Sequence, residues 1–308
     1  MEEVKLEFLL IALVIGFAIG YKNFVPNFFS RALYRIINVS LIITLIALGA
    51  KIGATPEVIN AINHLGLQAL VLGVLATSGS IGVVYLIEKN IDLTSELKEG
   101  WDEKETEGSY SILPVLISLA AGILLGLFVI PAKLLEYVNL TVVIALYVMV
   151  FGVGTDLGSK RELLQKIKKY GLKAVILPLG VLIGAIAGGI IAGIILDIPL
   201  NTSAGIAAGC GFYSFTGPYI SEVVSIKLGT IGFLANLFRE IITFFILPFL
   251  AQKIGKISSL ATGGATTMDT TLPVIVKVVG NKFAILAIIS GMVLTAIVPI
   301  LVPFIIRL

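Results

Sequence analysis

The feature that most limits the fold of this chain is a series of long apolar runs that contain very few charged residues. They occupy residues 6–21, 34–53, 67–87, 110–130, 138–157, 171–196, 228–250 and 283–306. An α-helix needs about 20 such residues to cross the hydrocarbon core of a bilayer. The chain is 57% hydrophobic and only 13% charged, and about 25% would be usual for a soluble domain. The sequence therefore predicts an all-α polytopic membrane protein with about eight transmembrane helices.

The first six runs form two copies of a three-helix unit. The segment Gly49–Glu57 aligns without gaps with Gly154–Glu162, and Lys51 then falls on Asp156. Spaced glycines also correspond, with Gly16 and Gly20 near Gly122 and Gly126. A unit with three spans must lie in opposite orientations in its two copies, which is the inverted-repeat pattern of many secondary transporters. We expect Lys51 and Asp156 to form an ion pair across the repeat axis or to reach water separately at span ends.

Two polar stretches, Gly209–Pro218 and Gly263–Pro273, interrupt the apolar last third of the chain at matching spacing. Glycine and proline break helices, and freed backbone is tolerated at membrane depth only where protein buries it or a cavity borders it. Each stretch is a re-entrant hairpin or a discontinuous spanning helix, and we favour hairpins. The predicted organisation is then a first repeat with an acidic cytoplasmic loop (1–109), an inverted second repeat (110–198) and a transport core (199–308).

Polar residues in these segments are the candidate substrate or ion site. They are Tyr213, Ser214, Thr216, Asn236, Arg239, Glu240, Asp269, Thr270 and Thr271, together with Asp156. The Asp269 carboxylate can hold an ammonium group or a proton, or it can cap a half-helix. Freed N–H groups near Ser214–Thr216 and Thr270–Thr271 are predicted to accept a carboxylate. Arg239 is expected to pair with Asp269 or Asp156, as a structural ion pair or as part of a gate.

Four motifs give the chain its resemblance to a known family. They are Asn201-Thr-Ser-Ala-Gly, Gly209-x-Gly-x-Tyr-Ser-x-x-Gly-Pro, Ala235-Asn-Leu-x-Arg-Glu and Gly263-Gly-Ala-Thr-Thr-Met-Asp-Thr-Thr-Leu-Pro. This set resembles the LysO-type lysine exporters over residues 110–308. The resemblance implies export of L-lysine and of toxic lysine analogues across the cytoplasmic membrane. It also implies that intramembrane acids are required, and Asp269 matches one of them.

The mechanism that we expect is secondary active export coupled to proton entry. Exporting a cation against an inside-negative potential costs about 2.3 kcal/mol per charge per 100 mV, and an entering proton offsets this. A sodium-coupled transporter or a channel for another small solute is the alternative. The sequence carries no paired acids of an intramembrane protease, no metal-ligand cluster, no nucleotide motif and no sign of nucleic-acid binding, so we expect neither an enzyme nor a cofactor. Oligomerisation is left open.

Basic residues predict the orientation of the chain in the inner membrane. With eight spans and two hairpins, one side receives eleven of them: Lys22, Arg31, Arg35, Lys160, Arg161, Lys166, Lys168, Lys169, Lys173, Lys253 and Lys256. The other side receives mainly Lys5, Lys133, Lys227 and Arg307. Because basic residues accumulate on the cytoplasmic side, we expect both termini to lie outside.

Overall fold

The computed structural model describes residues 6–22, 27–91, 113–131, 134–159 and 172–308, and within these ranges the chain is helical and contains no β-strand. The α-helices are α1 (Leu6–Tyr21), α2 (Asn27–Gly53), α3 (Pro56–Asn60), α4 (Ile62–Asn90), α5 (Leu113–Phe128), α6 (Leu135–Ser159), α7 (Leu172–Leu196), α8 (Leu200–Ala208), α9 (Tyr213–Val223), α10 (Ile226–Lys253), α11 (Lys256–Leu260), α12 (Leu272–Val279) and α13 (Asn281–Ile306). The all-α prediction is confirmed for this part of the chain. Most of the acidic loop, from residue 92 onward, lies outside it.

Six of the described helices are long and apolar enough to cross a bilayer. They are Arg35–Gly53, Asn63–Asn90, Glu136–Ser159, Val175–Leu196, Ile226–Lys253 and Ile285–Ile306. The other two predicted spans correspond to shorter apolar helices, Glu7–Tyr21 and Ile117–Phe128. Apolar side chains on the spans face outward, with exposed fractions of 78% for Phe245 and 69% for Ile194. Such a surface suits lipid rather than water. The chain is a multi-pass membrane protein, and its total of eight spans stays a prediction.

The chain divides into two compact units, and each unit combines three separate stretches. The first contains Met1–Ala69, Ile112–Arg161 and Tyr213–Leu234, and the second contains Leu70–Ser111, Glu162–Phe212 and Ala235–Leu308. Each three-helix repeat therefore contributes helices to both units. The predicted boundaries at residues 109 and 198 follow the repeats along the sequence and stay a prediction.

In the first unit, glycines bring helices into backbone contact. An added Cβ on Gly16 of α1 would lie 2.2 Å from the carbonyl oxygen of Phe151 in α6. An added Cβ on Gly158 of α6 would lie 2.2 Å from the carbonyl oxygen of Phe17 in α1. Membrane helices associate closely through small residues of this kind, because the lipid supplies no hydrophobic force between them.

The same arrangement joins α5 to α2. An added Cβ on Gly122 would lie 2.2 Å from the carbonyl oxygen of Ile46, and one on Gly53 would lie 2.2 Å from that of Ile123. Thus α5 packs on α2 as α1 packs on α6, so the first helix of each repeat packs on the second helix of the other repeat. This reciprocity supports the two copies inferred from the sequence, and their inverted orientation stays a prediction.

In the second unit, the third helices of the two repeats, α4 and α7, pack on each other. An added Cβ on Gly184 of α7 would lie 2.2 Å from the carbonyl oxygen of Gly79, and the converse distance is 2.1 Å. One turn of α4 also bonds to α7, because Ser80 Oγ donates to the carbonyl oxygen of Val181 at 2.8 Å. This contact holds the Ser80 hydroxyl at a fully buried position.

Both predicted helix breaks are present. The first separates α8 from α9, and the second contains a 3₁₀ helix, Gly264–Met268, between α11 and α12. The long helices that follow begin at Ile226 and Asn281, 55 positions apart, which is the offset of the sequence repeat. The first break is shorter than expected, because the chain is already helical from Tyr213 onward and Pro218 lies inside α9.

Candidate functional site

The first break is a sharp turn that an asparagine closes. Cys210 and Gly211 both adopt positive φ angles, 47° and 92°. Asn236 of α10 accepts a hydrogen bond from Gly211 N at 2.7 Å and donates one from Nδ2 to the carbonyl oxygen of Ile206 at 2.9 Å. One amide side chain thus bonds to backbone groups on both sides of the break, and the carbonyl oxygen of Ile206 also accepts from Gly209 N. The sequence placed Asn236 in the substrate pathway, and these bonds give it a structural role at the break.

The two breaks are in direct contact within the second unit. Ala265 N donates to the carbonyl oxygen of Cys210 at 2.8 Å. Gly264 adopts a φ of 61°, and an added Cβ there would lie 2.2 Å from the same carbonyl oxygen. Only glycine fits this backbone conformation and this approach. Two helix interruptions that lie far apart in the sequence therefore form one polar crossing inside an apolar chain.

Arg239 lies beside this crossing and is 2% exposed. Its Nε donates to the carbonyl oxygen of Thr262 at 3.0 Å, and its Nη2 donates to that of Ala261 at 2.8 Å and to Ser80 Oγ at 2.9 Å. These acceptors are neutral. The predicted pairing with Asp269 is wrong, because the guanidinium instead binds the carbonyl groups that follow α11, where the helix dipole is negative. Pairing with Asp156, which belongs to the other unit, stays a prediction.

A small cavity of about 10 Å³ lies next to Arg239, which is room for about one water molecule. Its lining residues are Leu72, Gly73, Ala76, Ile206, Ala207, Ala235, Asn236 and Arg239. The Nη1 atom of Arg239 is buried and has no hydrogen-bond acceptor in the part of the chain that the structure describes. The cavity is therefore apolar except for one amide and one guanidinium group.

Asp269 ends the 3₁₀ helix of the second break. Its Oδ1 accepts a hydrogen bond from Thr270 N at 2.6 Å, and its backbone has φ −139° and ψ −91°. Asp269 and Thr270 are partly exposed, whereas Thr267 and Thr271 are fully buried. Asp269 thus lies at a partly exposed edge of the break.

The predicted carboxylate-binding N–H groups at Thr270 and Thr271 are not free. Thr270 N donates to Asp269 Oδ1, and Thr271 N donates to the carbonyl oxygen of Thr266 at 3.1 Å. The Thr271 hydroxyl donates to the same carbonyl at 3.0 Å. These two N–H groups differ from the prediction because the second break is closed by a 3₁₀ helix and threonine side chains, whereas the sequence analysis assumed an open helix start. The carboxylate-binding role of the N–H groups near Ser214–Thr216 stays a prediction.

The other hairpin residues lie in the first unit, in the first turns of α9. Ser214 and Thr216 are buried, and Ser214 Oγ lies 3.8 Å from the Met149 sulfur. The Tyr213 ring is 7% exposed and packs edge-on against Phe233, with 5.6 Å between the ring centroids. Tyr213 therefore packs in the core of this unit. Ser214 and Asp269 belong to different units, and their shared role in one site stays a prediction.

A buried ion pair joins Lys51 of α2 to Glu222 of α9. Lys51 Nζ lies 2.7 Å from Glu222 Oε1, and the two side chains are 5% and 8% exposed. The sequence analysis paired Lys51 with Asp156, or placed it in water at a span end, and neither describes its position. It also missed Glu222, which looks like a solvated residue at a hairpin end until the packing of α9 on α2 is known.

Two further acids are placed as follows. Glu240 is 1% exposed in α10, directly after Arg239, and Asp156 is partly exposed in the last turn of α6. A third acid, Glu88, lies in the last turn of α4. Its carboxylate accepts from Ser258 N at 2.8 Å, Ile257 N at 3.3 Å and Ser258 Oγ, so it caps the start of α11. Within the described ranges, no group of His, Cys, Asp and Glu side chains has the arrangement of a metal site.

Comparisons with known proteins agree with the motifs. The family profile described as Lysine exporter LysO matches residues 10–120 and 116–306. The chain is 32% identical over 162 residues to the Escherichia coli (strain K12) protein named Lysine exporter LysO, and the alignment covers 52% of this chain and 52% of that relative, about half its length. It is 30% identical over 193 residues to a Haemophilus influenzae protein named Putative lysine exporter, with 62% of this chain and 95% of the relative covered. No solved structure matches the chain significantly.

Proposed function

The chain belongs to the lysine exporter LysO family, and from that membership we propose that it exports L-lysine and lysine analogues across the cytoplasmic membrane. The observation that carries the proposal is the contact of the two helix breaks at Cys210 and Ala265. Discontinuous helices that meet inside a membrane protein are typical of the substrate sites of secondary transporters. A transporter with such a site needs no catalytic residue, so we propose no enzymatic activity.

Asp269 is the proposed binding group for a substrate ammonium or for a coupling proton. It is an acid at the accessible edge of the second break, and ionisable residues at membrane depth generally serve transport. Thr270 N donates to one carboxylate oxygen and holds the side chain in place. Asp156 and Glu240 are the proposed partners for proton movement, with Ser214, Thr216 and Thr271 as polar residues of the pathway. Proton antiport then drives export against the membrane potential.

We further propose that the first broken segment is a re-entrant hairpin. Between Lys51 and Glu222 the chain passes through α4, α5, α6 and α7, and four crossings return it to the same side of the membrane. The Lys51–Glu222 ion pair is compatible with this path only if the segment α8–α9 does not cross as well. The capping of Ser258 by Glu88 supports the same conclusion, because α5, α6, α7 and α10 lie between them.

If the second segment is also a hairpin, as its matching spacing indicates, the chain has eight spans. The basic residues then place both termini outside and the start of α11, at Lys256, in the cytoplasm. Labelling of single cysteines in a Cys210→Ser background tests this orientation. A cysteine at position 253 should react with a membrane-impermeant reagent only from the cytoplasmic side.

The proposed activity is tested in inside-out membrane vesicles. These vesicles should accumulate radiolabelled L-lysine when an inward-acidic pH gradient is imposed, and the gradient should be consumed as lysine enters. A sodium gradient alone should not support the accumulation. A channel would only equilibrate lysine, so failure to concentrate it would contradict the proposal.

A further inference from the structure

Within the described ranges the buried guanidinium of Arg239 bonds only to neutral groups, although it carries a full positive charge. Its hydrogen bonds go to the carbonyl oxygens of Ala261 and Thr262 and to the Ser80 hydroxyl. A buried charge that has no opposite charge beside it is strongly disfavoured in an apolar environment. The partial negative charge at the end of α11 offsets this cost only in part.

One donor of this guanidinium remains unused. Nη1 of Arg239 is buried and has no acceptor among the described residues, whereas Nε and Nη2 are both bonded. A buried donor without an acceptor costs free energy that a bound acceptor would recover. The residue also lines the small cavity, whose other lining side chains offer no negative charge. This combination of a fixed cation, an open donor and adjacent space is suited to an anion.

We propose that Arg239 binds the α-carboxylate of the amino acid that this chain transports. The assignment rests on the proposed function and gives the substrate a second anchor. The 3₁₀ helix Gly264–Met268 begins beside Arg239, since an added Cβ on Gly264 would lie 3.1 Å from Arg239 Nε, and it ends at Asp269. The two charges flank one short helix, an arrangement that suits a molecule with a carboxylate at one end and an ammonium group at the other.

Arg239 supplies the carboxylate-binding group that the sequence analysis had expected from N–H groups at helix starts. Thr270 N and Thr271 N already have acceptors within the second break, so they do not offer a carboxylate site. Guanidinium groups bind carboxylates in a planar, often two-bonded geometry, and they stay charged at all physiological pH values. A carboxylate at Nη1 would therefore be held by charge as well as by hydrogen bonding.

A carboxylate enters this site only when the surrounding helices separate. The cavity of about 10 Å³ admits one water molecule and no larger group. Gly73 of α4 and Ala235 of α10 both line it and lie in close contact, since an added Cβ on Gly73 would lie 2.8 Å from the carbonyl oxygen of Ala235. We expect these two helices to separate at that point during the transport cycle.

The test compares L-lysine with lysinamide, which keeps both amino groups but has no carboxylate. Purified protein in liposomes is assayed by counterflow of radiolabelled lysine, with either compound as the unlabelled competitor. We expect wild-type protein to require at least about tenfold more lysinamide than lysine for half-inhibition. Arg239→Gln should lose this preference, so that the two compounds compete equally and weakly. Arg307→Gln, which changes an exposed arginine near the chain end, is the matched control and should keep it.

The outcomes separate the two proposals. Absence of lysine counterflow in wild-type protein contradicts the proposed function itself. Counterflow in which lysinamide competes as well as lysine, or an Arg239→Gln variant that keeps the wild-type preference, overturns the carboxylate site alone. If lysine and lysinamide compete equally in wild-type protein and their competition changes with the chloride concentration, the site binds an inorganic anion, and the proposal is also overturned. Arg239→Lys is the second variant, with an expected intermediate preference. If neither variant folds in size-exclusion profiles, Arg239 is a structural residue and the proposal fails.

Discussion

The two broken segments share a spacing but are held in the protein in different ways. In the first segment, the side-chain amide of Asn236 in α10 closes the break. The acid of this segment, Glu222, forms an ion pair with Lys51 of α2. In the second, threonines of the segment close the break, and an acid from α4, Glu88, caps its start. The second break also contains an acid, Asp269, whose carboxylate accepts a hydrogen bond from Thr270 N.

This difference indicates a division of roles. The polar groups of the first segment are used by the structure, in bonds from Asn236 and in the Lys51–Glu222 pair. In the second segment the structural bonds come mainly from threonines, and the acid of the break, Asp269, lies at a partly exposed position. An acid at such a depth is expected to serve transport. The comparison predicts that equivalent substitutions in the two segments differ in effect.

The largest difference is expected between Asp269 and Ser214, which occupy equivalent positions of the repeat. Asp269→Asn keeps the size of the side chain and an oxygen acceptor for Thr270 N but removes the charge. It should fold, appear in the membrane at wild-type abundance and lose lysine export entirely. Ser214→Ala removes a neutral hydroxyl whose described contact is with the Met149 sulfur, and it should reduce export less than Asp269→Asn does.

Counterflow with internal lysine sharpens this prediction. If Asp269 binds the ammonium, Asp269→Asn loses both net export and exchange, and if it carries only the proton, exchange remains. Asp269→Glu should retain part of the activity, because the charge is kept. Net export at the wild-type rate in Asp269→Asn would show that the second segment is not the site.

The next largest effect is expected at the contact of the two breaks. Gly264→Ala places a methyl group 2.2 Å from the carbonyl oxygen of Cys210, at a φ of 61°. The backbone strain and the steric overlap together should lower the free energy of unfolding by several kcal/mol, about as much as a severely destabilising core substitution does. Gly82→Ala is the matched control, since an added Cβ at Gly82 meets nothing within 4 Å.

The measurement is the melting temperature of the protein in detergent. Gly82→Ala should leave it nearly unchanged, and Gly264→Ala should lower it by many degrees or prevent purification. A Gly264→Ala protein with wild-type stability would mean that the breaks do not touch as the structure places them.

Whether the sequence predicts a structural feature of this protein depends on how far apart in the chain the interacting residues lie. The helix breaks at Gly209–Pro218 and Gly263–Pro273 follow from local residue chemistry, and the structure places breaks in both. The partners of buried charges are different, because Lys51 and Glu222 lie 171 positions apart and Glu88 and Ser258 lie 170 apart. Such pairs depend on which helices pack together, and no local pattern encodes that. A repeat axis suggested Asp156 for Lys51, but the packing of α9 on α2 selects Glu222.

The Lys51–Glu222 pair gives an effect of intermediate size. Lys51→Ala leaves a buried carboxylate without its cation and should destabilise the protein by about 3–5 kcal/mol. The exchange Lys51→Glu with Glu222→Lys restores opposite charges and should recover much of the stability and some transport. Thermal unfolding of the single and double variants gives the coupling energy between the two positions. Additive losses in the double variant would show that the pair does not form.

The smallest effect is expected at Glu88, whose carboxylate caps a helix of only five residues. Glu88→Ala removes the acceptor for Ser258 N and Ile257 N, and loss of such a cap costs about 0.5–2 kcal/mol. Lys89→Ala changes the exposed neighbour in the same turn and should cost less than about 0.5 kcal/mol. Glu88→Gln keeps an acceptor oxygen and should lie between the two in melting temperature.

Because Glu88 caps the second segment from α4, its loss should also make a cysteine at position 256 react faster with a soluble thiol reagent. If the labelling rate at position 256 stays at the wild-type value while the melting temperature falls, Glu88 stabilises α4 alone. A carboxylate would then hold the first segment, through Glu222, but not the second.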